Sequence, residues 1–249
     1  MDSNENDRRY PTRIIVKYFQ ETRSLYENVL LFYTMLKDKD TYSQANQDIF
    51  VSKLTSEKRD GFFVEIGSNH PIIHNNTYLL EKQYGWKGLM VEYDNSFKNA
   101  YDTYRPNSIY ELQDARLVDY KKILDEHHFP KNIDYLQIDL DVNNKSTLDT
   151  LLLLDNTVFD TYTFATVTFE HDIYTGNYYN TREIARQIFE KRGYILLFPD
   201  VSVFWEGGHK PFEDWYIHPE LIDSTIFSAL RTNESMTSNE IRDRILANL

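Results

Sequence analysis

Several carboxylates in this chain stand where an apolar run stops. Glu65 lies inside Gly61-Phe62-Phe63-Val64-Glu65-Ile66-Gly67-Ser68-Asn69, and Glu92 ends Trp86-Lys87-Gly88-Leu89-Met90-Val91-Glu92. Asp139 and Asp141 close Ile133-Asp134-Tyr135-Leu136-Gln137-Ile138-Asp139-Leu140-Asp141, and Glu170-His171-Asp172 follows a β-branched and aromatic run over 161–169. Asp114 follows a short run near 108–112. A carboxylate at a strand end can accept hydrogen bonds from the 2′ and 3′ hydroxyls of a ribose. Each bond to a charged acceptor is worth roughly 1.5–3 kcal/mol. Acids and a histidine on neighbouring strand ends can instead take a proton from a hydroxyl, or bind a hard divalent cation through oxygen. Structural hydrogen bonds at strand ends are the competing reading of the same residues.

The turn after Ile66 narrows the choice. Gly67 lets the chain bend sharply and lets a ligand come close to the backbone. The following Ser68-Asn69-His70-Pro71 lacks the G-x-G-x-x-G lining that cradles a pyrophosphate. Nicotinamide and flavin dinucleotides are thereby disfavoured. A nucleoside cofactor without phosphate, such as S-adenosylmethionine, needs only the tight turn and an acid. Glu92 is then placed to hold the ribose, and Asp114-Ala115 to meet the adenine amino group.

These residues need strands to carry them and helices between. The spacing predicts strands at 61–66, 88–92, 108–112, 133–141 and 161–169, then at 194–198 and 201–205. Helices are expected at 76–84, 96–104, 118–128 and 180–192, with Ser146 capping one more and Glu183 closing a capping box on the 180–192 helix. Thr237-Ser238-Asn239-Glu240 caps a last short helix. Strand and helix alternate from 61 to 205, which predicts an α/β fold with a doubly wound, mostly parallel sheet of Rossmann-like form. Residues 1–40 read as a polar tail and amphipathic helices, with apolar positions from Ile14 to Leu36 that could serve as a homodimer face. Residues 41–249 read as one domain. Within it, the stretch from Phe204 to Tyr216 is loop-like, with paired glycines, and is expected to act as a lid or a clamp.

Composition bounds the partners. The 249 residues carry 27 Lys and Arg against 39 Asp and Glu, a formal charge of −12. Such a surface repels phosphate backbones, so a nucleic-acid substrate is disfavoured. There is no cysteine, which removes thiolate nucleophiles, thiolate zinc sites and disulfides. No apolar run reaches the ~18 residues of a membrane span, and the polar, acidic start lacks the features of a secretory signal. The chain is expected to be soluble and cytoplasmic.

Taken in order, the motifs resemble those of the FkbM family of S-adenosylmethionine-dependent methyltransferases. Ser43-Gln44-Ala45-Asn46-Gln47-Asp48 looks like its S-Q-x-x-Q-D opening, and Phe63-Val64-Glu65-Ile66-Gly67-Ser68-Asn69 like its F-V-E-I-G-A-N strand. Asn76-Thr77-Tyr78-Leu79-Leu80-Glu81, Gly85-Trp86-Lys87-Gly88 and Val91-Glu92 match its N-T-x-x-L-E…G-W-x-G…x-E signature. The 133–141 strand resembles its D-Y-L-x-x-D segment. The likeness spans about residues 42–205. It implies a class I methyltransferase fold and methyl transfer to a hydroxyl of a sugar or another small metabolite. Glu65, Gly67, Ser68, Asn69, Glu92, Tyr93, Asp114, Ala115 and Asp139 would then form the cofactor site. The catalytic candidates are Asp139, His171 and Glu170, with His171 or Asp139 as the base. Asp139, Asp141 and Glu170 are the candidate ligands of a divalent cation such as Mg2+. The chain departs from the family at His70-Pro71, where Asp-Gly is frequent, and at Asp141-Val142-Asn143-Asn144-Lys145, where a Gly and another acid are frequent. These departures motivate an alternative, a methyltransferase-like fold that binds or assembles without catalysis.

Overall fold

The computed structural model describes residues 40–249. The tail and helices expected before residue 40, and the dimer face placed on them, lie outside that range.

Four hydrophobic runs form parallel strands because both of their faces are covered, as near-continuous apolar sequence requires. They are β1 (Phe62–Ile66), β2 (Lys87–Glu92), β4 (Asn132–Ile138) and β5 (Thr163–Glu170), joined at one edge by β3 (Ile109–Leu112). The chain then adds β6 (Ile195–Trp205) and β7 (Gly208–Ile217). The sheet order is β3-β2-β1-β4-β5-β7-β6, with β7 antiparallel to both of its neighbours. The strand order reverses between β1 and β4, which are paired through Ile66 and Ile138. At such a switch point the carboxyl ends of the strands part and leave a crevice.

Two helical layers cover the sheet. One core cluster joins Leu124 of α4 (Tyr120–Glu126), Leu151 and Leu154 of α5 (Ser146–Thr157) and Phe189 of α6 (Tyr179–Lys191) to Val64, Leu136 and Val167. The other joins Phe50 and Leu54 of α1 (Gln47–Leu54), Leu80 of α2 (Tyr78–Tyr84) and Tyr101 of α3 (Lys98–Tyr104) to Phe63, Met90 and Trp215. Leu230 of α7 (Ser224–Leu230) and Ile241 and Ile245 of α8 (Ser238–Asn248) complete that second layer. Among the described residues no helix is long and apolar enough to cross a membrane.

The expected fold class is the observed one, with local corrections. The stretch from Phe204 to Tyr216, read as loop-like, is instead the end of β6 and most of β7, the strand inserted between β5 and β6. Residues 194–205, read as two strands, form one strand with irregular pairing at Leu196, Phe198 and Val201. Ser146 does not cap α5: Lys145, in a left-handed conformation, stands at its N-cap with no side-chain bond. Glu183 closes no capping box on α6, because the N-cap is Tyr178 and the Glu183 carboxylate pairs with Arg182. The box expected at Thr237 and Glu240 is present on α8.

Candidate functional site

Everything at the switch point turns on Gly67. Its φ is +84°, and a Cβ there would lie 1.7 Å from the carbonyl oxygen of Asp139. Only glycine allows β1 to turn this close to the end of β4. The amides of Gly67 and Ser68 donate to the Val91 carbonyl at 2.9 and 3.1 Å. The Tyr101 hydroxyl donates to the Asn69 carbonyl at 2.5 Å and lies 2.6 Å from Ser68 Oγ. The turn is therefore pinned from both sides. His70 explains the departure at 70–71: its Nδ1 accepts from the amides of Ile72 and Ile73, each at 3.1 Å, and nucleates the next bend.

Glu92 ends β2 and ties this turn down. Its Oε2 accepts the Asn69 amide at 2.6 Å, and its Oε1 accepts the Tyr93 and Asp94 amides at 2.8 Å each. Burial raises its pKa, and the three amides oppose that shift. A carboxylate has about four acceptor positions. The described bonds leave one, on Oε2, where the sequence suggested room for two ribose hydroxyls. Tyr93 stands beside it, 78% exposed.

Glu65 has a different place from the one expected. It is 0% exposed. Its carboxylate accepts Asn75 Nδ2 at 3.1 Å, the Asn76 amide at 3.0 Å and Thr77 Oγ1 at 2.7 Å. Arg105, also fully buried, donates to Asn75 Oδ1, Thr77 Oγ1, Pro71 O and Glu81 Oε2 at 2.7–3.1 Å. The N-T-x-x-L-E signature is thus the lattice that shapes the loop before α2. Burial pushes Glu65 up to about 7, with Arg105 and the loop bonds opposing. The lattice encloses its carboxylate completely, whereas that of Glu92 is partly exposed. Asp114 is also engaged, capping the turn at Ala115–Leu117 and pairing with Arg116 Nε at 2.9 Å. Ala115 is buried beside it.

The carboxyl ends of β4 and β5 and the middle of β7 carry a row of acids on the face covered by α1. Ile138 pairs with Phe169, which sets Asp139 next to Glu170. Glu170 pairs with Glu213 across the antiparallel β5–β7 ladder. Like charges directly opposite each other destabilise a sheet unless protons are retained. Burial, and then Asp139, raise Glu170 well above the usual range, and the two side chains share a hydrogen bond. Burial likewise pushes Glu213 up to about 8. Glu213 is held by Gln47 Nε2 at 3.1 and 3.2 Å and by Trp215 Nε1 at 2.6 Å. Neither Gln47 nor Glu213 was expected at the site. The signal was present in the S-Q-x-x-Q-D opening, whose Asp48 separately closes the 41–43 turn by accepting the Tyr42 amide at 2.7 Å.

His171 belongs to the opposite face. It is 0% exposed, with Nε2 3.5 Å from Asp200 Oδ1 and 3.6 Å from Asp214 Oδ1. These three residues are spaced closely enough to hold a metal ion. Arg186 nevertheless already takes both aspartates, with Nη2 2.8 Å from Asp214 Oδ1 and 3.0 Å from Asp200 Oδ1, and Arg182 takes Asp200 at 2.9 Å. Asp214 further accepts the Asp200 amide at 2.8 Å and the Tyr216 hydroxyl at 3.1 Å. The guanidinium groups and these donors fill the positions a cation would need. The expected cation set, Asp139, Asp141 and Glu170, is not brought together either. β4 ends at Ile138, so the two-residue alternation stops there. Asp141 is exposed and spends its Oδ1 on the amide and Nδ2 of Asn143 at 2.9 and 3.0 Å. These residues do not fit the proposed cation.

No protein-family model and no curated protein matches this chain. Solved structures do. An O-methyltransferase from Bacillus cereus in complex with SAH superposes with a TM-score of 0.50 at 12% identity, over 82% of this chain and 96% of that one. The O-methyltransferase TomG from Streptomyces achromogenes, in complex with SAM, gives a TM-score of 0.49 at 11% identity, over 77% and 96%. The chain has the class I methyltransferase fold.

Proposed function

We propose that this protein is an S-adenosylmethionine-dependent O-methyltransferase of the FkbM type, acting in the cytoplasm on a hydroxyl of a sugar or another small metabolite. The Glu92 carboxylate carries this reading. It bridges the Gly67–Asn69 turn to the end of β2 at the topological switch point and keeps one acceptor position open there. Binding of the cofactor by the similar Bacillus cereus and Streptomyces achromogenes proteins supports the same ligand here.

The cofactor supplies a methyl group already activated by its sulfonium. The chain must therefore align the acceptor oxygen and remove its proton. Glu92 would hold the ribose, Tyr93 would border it, and the turn at 67–69 would admit the cofactor to the backbone. Asp139, set beside Glu170 at the adjoining ends of β4 and β5, would take the proton the acceptor gives up. His171 is not that base, because it lies on the other face among Asp200, Asp214 and Arg186.

Calorimetric titration with S-adenosylmethionine tests the reading. Binding is expected for the folded protein, and Glu92→Ala should weaken it tenfold or more. No heat at millimolar cofactor rejects the proposal, and an unchanged affinity for the variant removes Glu92 from the site.

A further inference from the structure

Asp139 stands just past the end of β4, where the strand ladder no longer fixes a side chain. Its backbone is held twice. The amide donates to the Ile66 carbonyl at 3.0 Å, and the carbonyl oxygen lies against Gly67. Its carboxylate shares a bond with Glu170 and accepts one from Gln137, whose Nε2 lies 3.5 Å from Oδ2. Asp139 is partly exposed, whereas Gln137 is 3% exposed and Asn76 2%.

Gln137 has a defined orientation. It sits opposite Glu65 in the parallel β1–β4 ladder, and its Oε1 accepts Asn76 Nδ2 at 2.6 Å. A primary amide carries its acceptor and its donors on opposite branches. With the carbonyl spent on Asn76, the NH2 group is turned to Asp139. Asn76 is anchored in turn, because its main-chain amide donates to Glu65 at 3.0 Å. The buried lattice of Arg105, Thr77 and Glu65 therefore continues through Asn76 and Gln137 and ends on the partly exposed Asp139.

This arrangement carries a cost. Asn76 Oδ1 is buried and has no hydrogen-bond partner among the described residues. A stranded acceptor of that kind costs roughly 1–3 kcal/mol. A side chain that only filled space there could be apolar and would avoid it. What the asparagine supplies in return is the bond that orients Gln137.

We infer that Gln137, held by Asn76, is a positioning residue that aims the Asp139 carboxylate at the transferable methyl group and the acceptor oxygen. Both amides are buried, so they act through Asp139 and touch no ligand themselves. A misplacement of ~1 Å at a reacting group can slow a reaction about a hundredfold, which is the effect such a support prevents. The inference rests on the methyltransferase reading and ties the loop before α2 to the candidate base.

Calorimetry with two cofactor analogues tests it on the full chain. S-adenosylhomocysteine lacks the methyl group, and sinefungin carries an amine in its place, cationic at neutral pH. A carboxylate aimed at that position accepts a charge-assisted hydrogen bond from the amine, so the wild type should bind sinefungin about fivefold more tightly, or better. Gln137→Met should bring the two affinities level while leaving that for S-adenosylhomocysteine unchanged. Asn76→Ala, which removes only the anchor, should narrow the preference less. Loss of packing alone would weaken both ligands in parallel. A parallel loss, an unchanged preference in Gln137→Met, or a wild type without preference overturns the inference. If Gln137→Met does not fold, Asn76→Ala decides it, and an unchanged preference there overturns the inference as well. A folded wild type that binds neither analogue removes the methyltransferase reading, and the positioning role with it.

Discussion

Two groups of buried acids lie back to back across the ends of β5 and β7, and they solve the same electrostatic problem differently. On the α6 side, Asp200 and Asp214 are met by Arg182 and Arg186. Burial alone would raise Asp214, but the bonds from Arg186 outweigh it and hold the carboxyl below its usual range. On the α1 side, the charges acting on Glu170 and Glu213 are other carboxylates, and both groups are pushed upward. The first arrangement behaves as a structural clamp. The second retains protons at neutral pH, which a site that exchanges protons with a ligand can use. Adjacent residues separate the two: Glu213 bonds Gln47 of α1, and Asp214 bonds Arg186 of α6.

The contrast can be broken by experiment. Arg186→Ala leaves Asp214 buried without its main partner, so it should cost about 3–5 kcal/mol in chemical denaturation. A loss under about 1 kcal/mol would mean that the clamp is no clamp. The two faces should also respond oppositely to pH. Glu213 has its folded pKa raised to about 8 from 4.5. Its stabilising contribution is present below about pH 4.5 and is lost as pH rises toward 8, each step of one pH unit in that window removing roughly 1.4 kcal/mol. Asp214, held low, contributes above its unfolded pKa and loses that contribution in acid. Glu213→Gln should therefore flatten the decline in melting temperature between pH 5 and 8 without changing the acid limb. A decline of the same steepness in the variant would take Glu213 out of the account. The smallest effect belongs to Asp141→Asn, which keeps the cap on the Val142–Asn144 turn. Calorimetry with S-adenosylhomocysteine should give affinities within twofold for variant and wild type, with Mg2+ or with a chelator.

Much of this was legible in the sequence, and the failures have physical causes. β1, β2, β4 and β5 announce themselves because strands buried on both faces must be apolar nearly throughout. Gly67 and Glu92 stand out because a glycine turn and a lone acid interrupt those runs. β7 was hidden for the opposite reason. Its run Lys210-Pro211-Phe212-Glu213-Asp214 looks like loop, yet Glu213 and Asp214 are buried, each neutralised by its own device on its own face. His171 misled because Glu170-His171-Asp172 reads as a single cluster, although alternation along a strand sends Glu170 and His171 to opposite sides. Glu65 misled because a fully buried structural acid and an acid facing a crevice are the same letter. Glu65 and Glu92 each accept three hydrogen bonds, and burial tells them apart: Glu65 is fully enclosed while Glu92 is partly exposed.

The outermost strand, β6, would expose a ladder of unsatisfied amides and carbonyls were it not for residues 232–237. The Thr232 amide reaches the Leu197 carbonyl at 3.3 Å, the Ser235 hydroxyl reaches the Asp200 carbonyl at 2.6 Å, and Met236 and Thr237 close on Ser202. This selvedge keeps the sheet from recruiting a foreign strand. A proteolytic nick or insertion within it would convert a closed border into a seed for self-association, well before the crevice itself was disturbed.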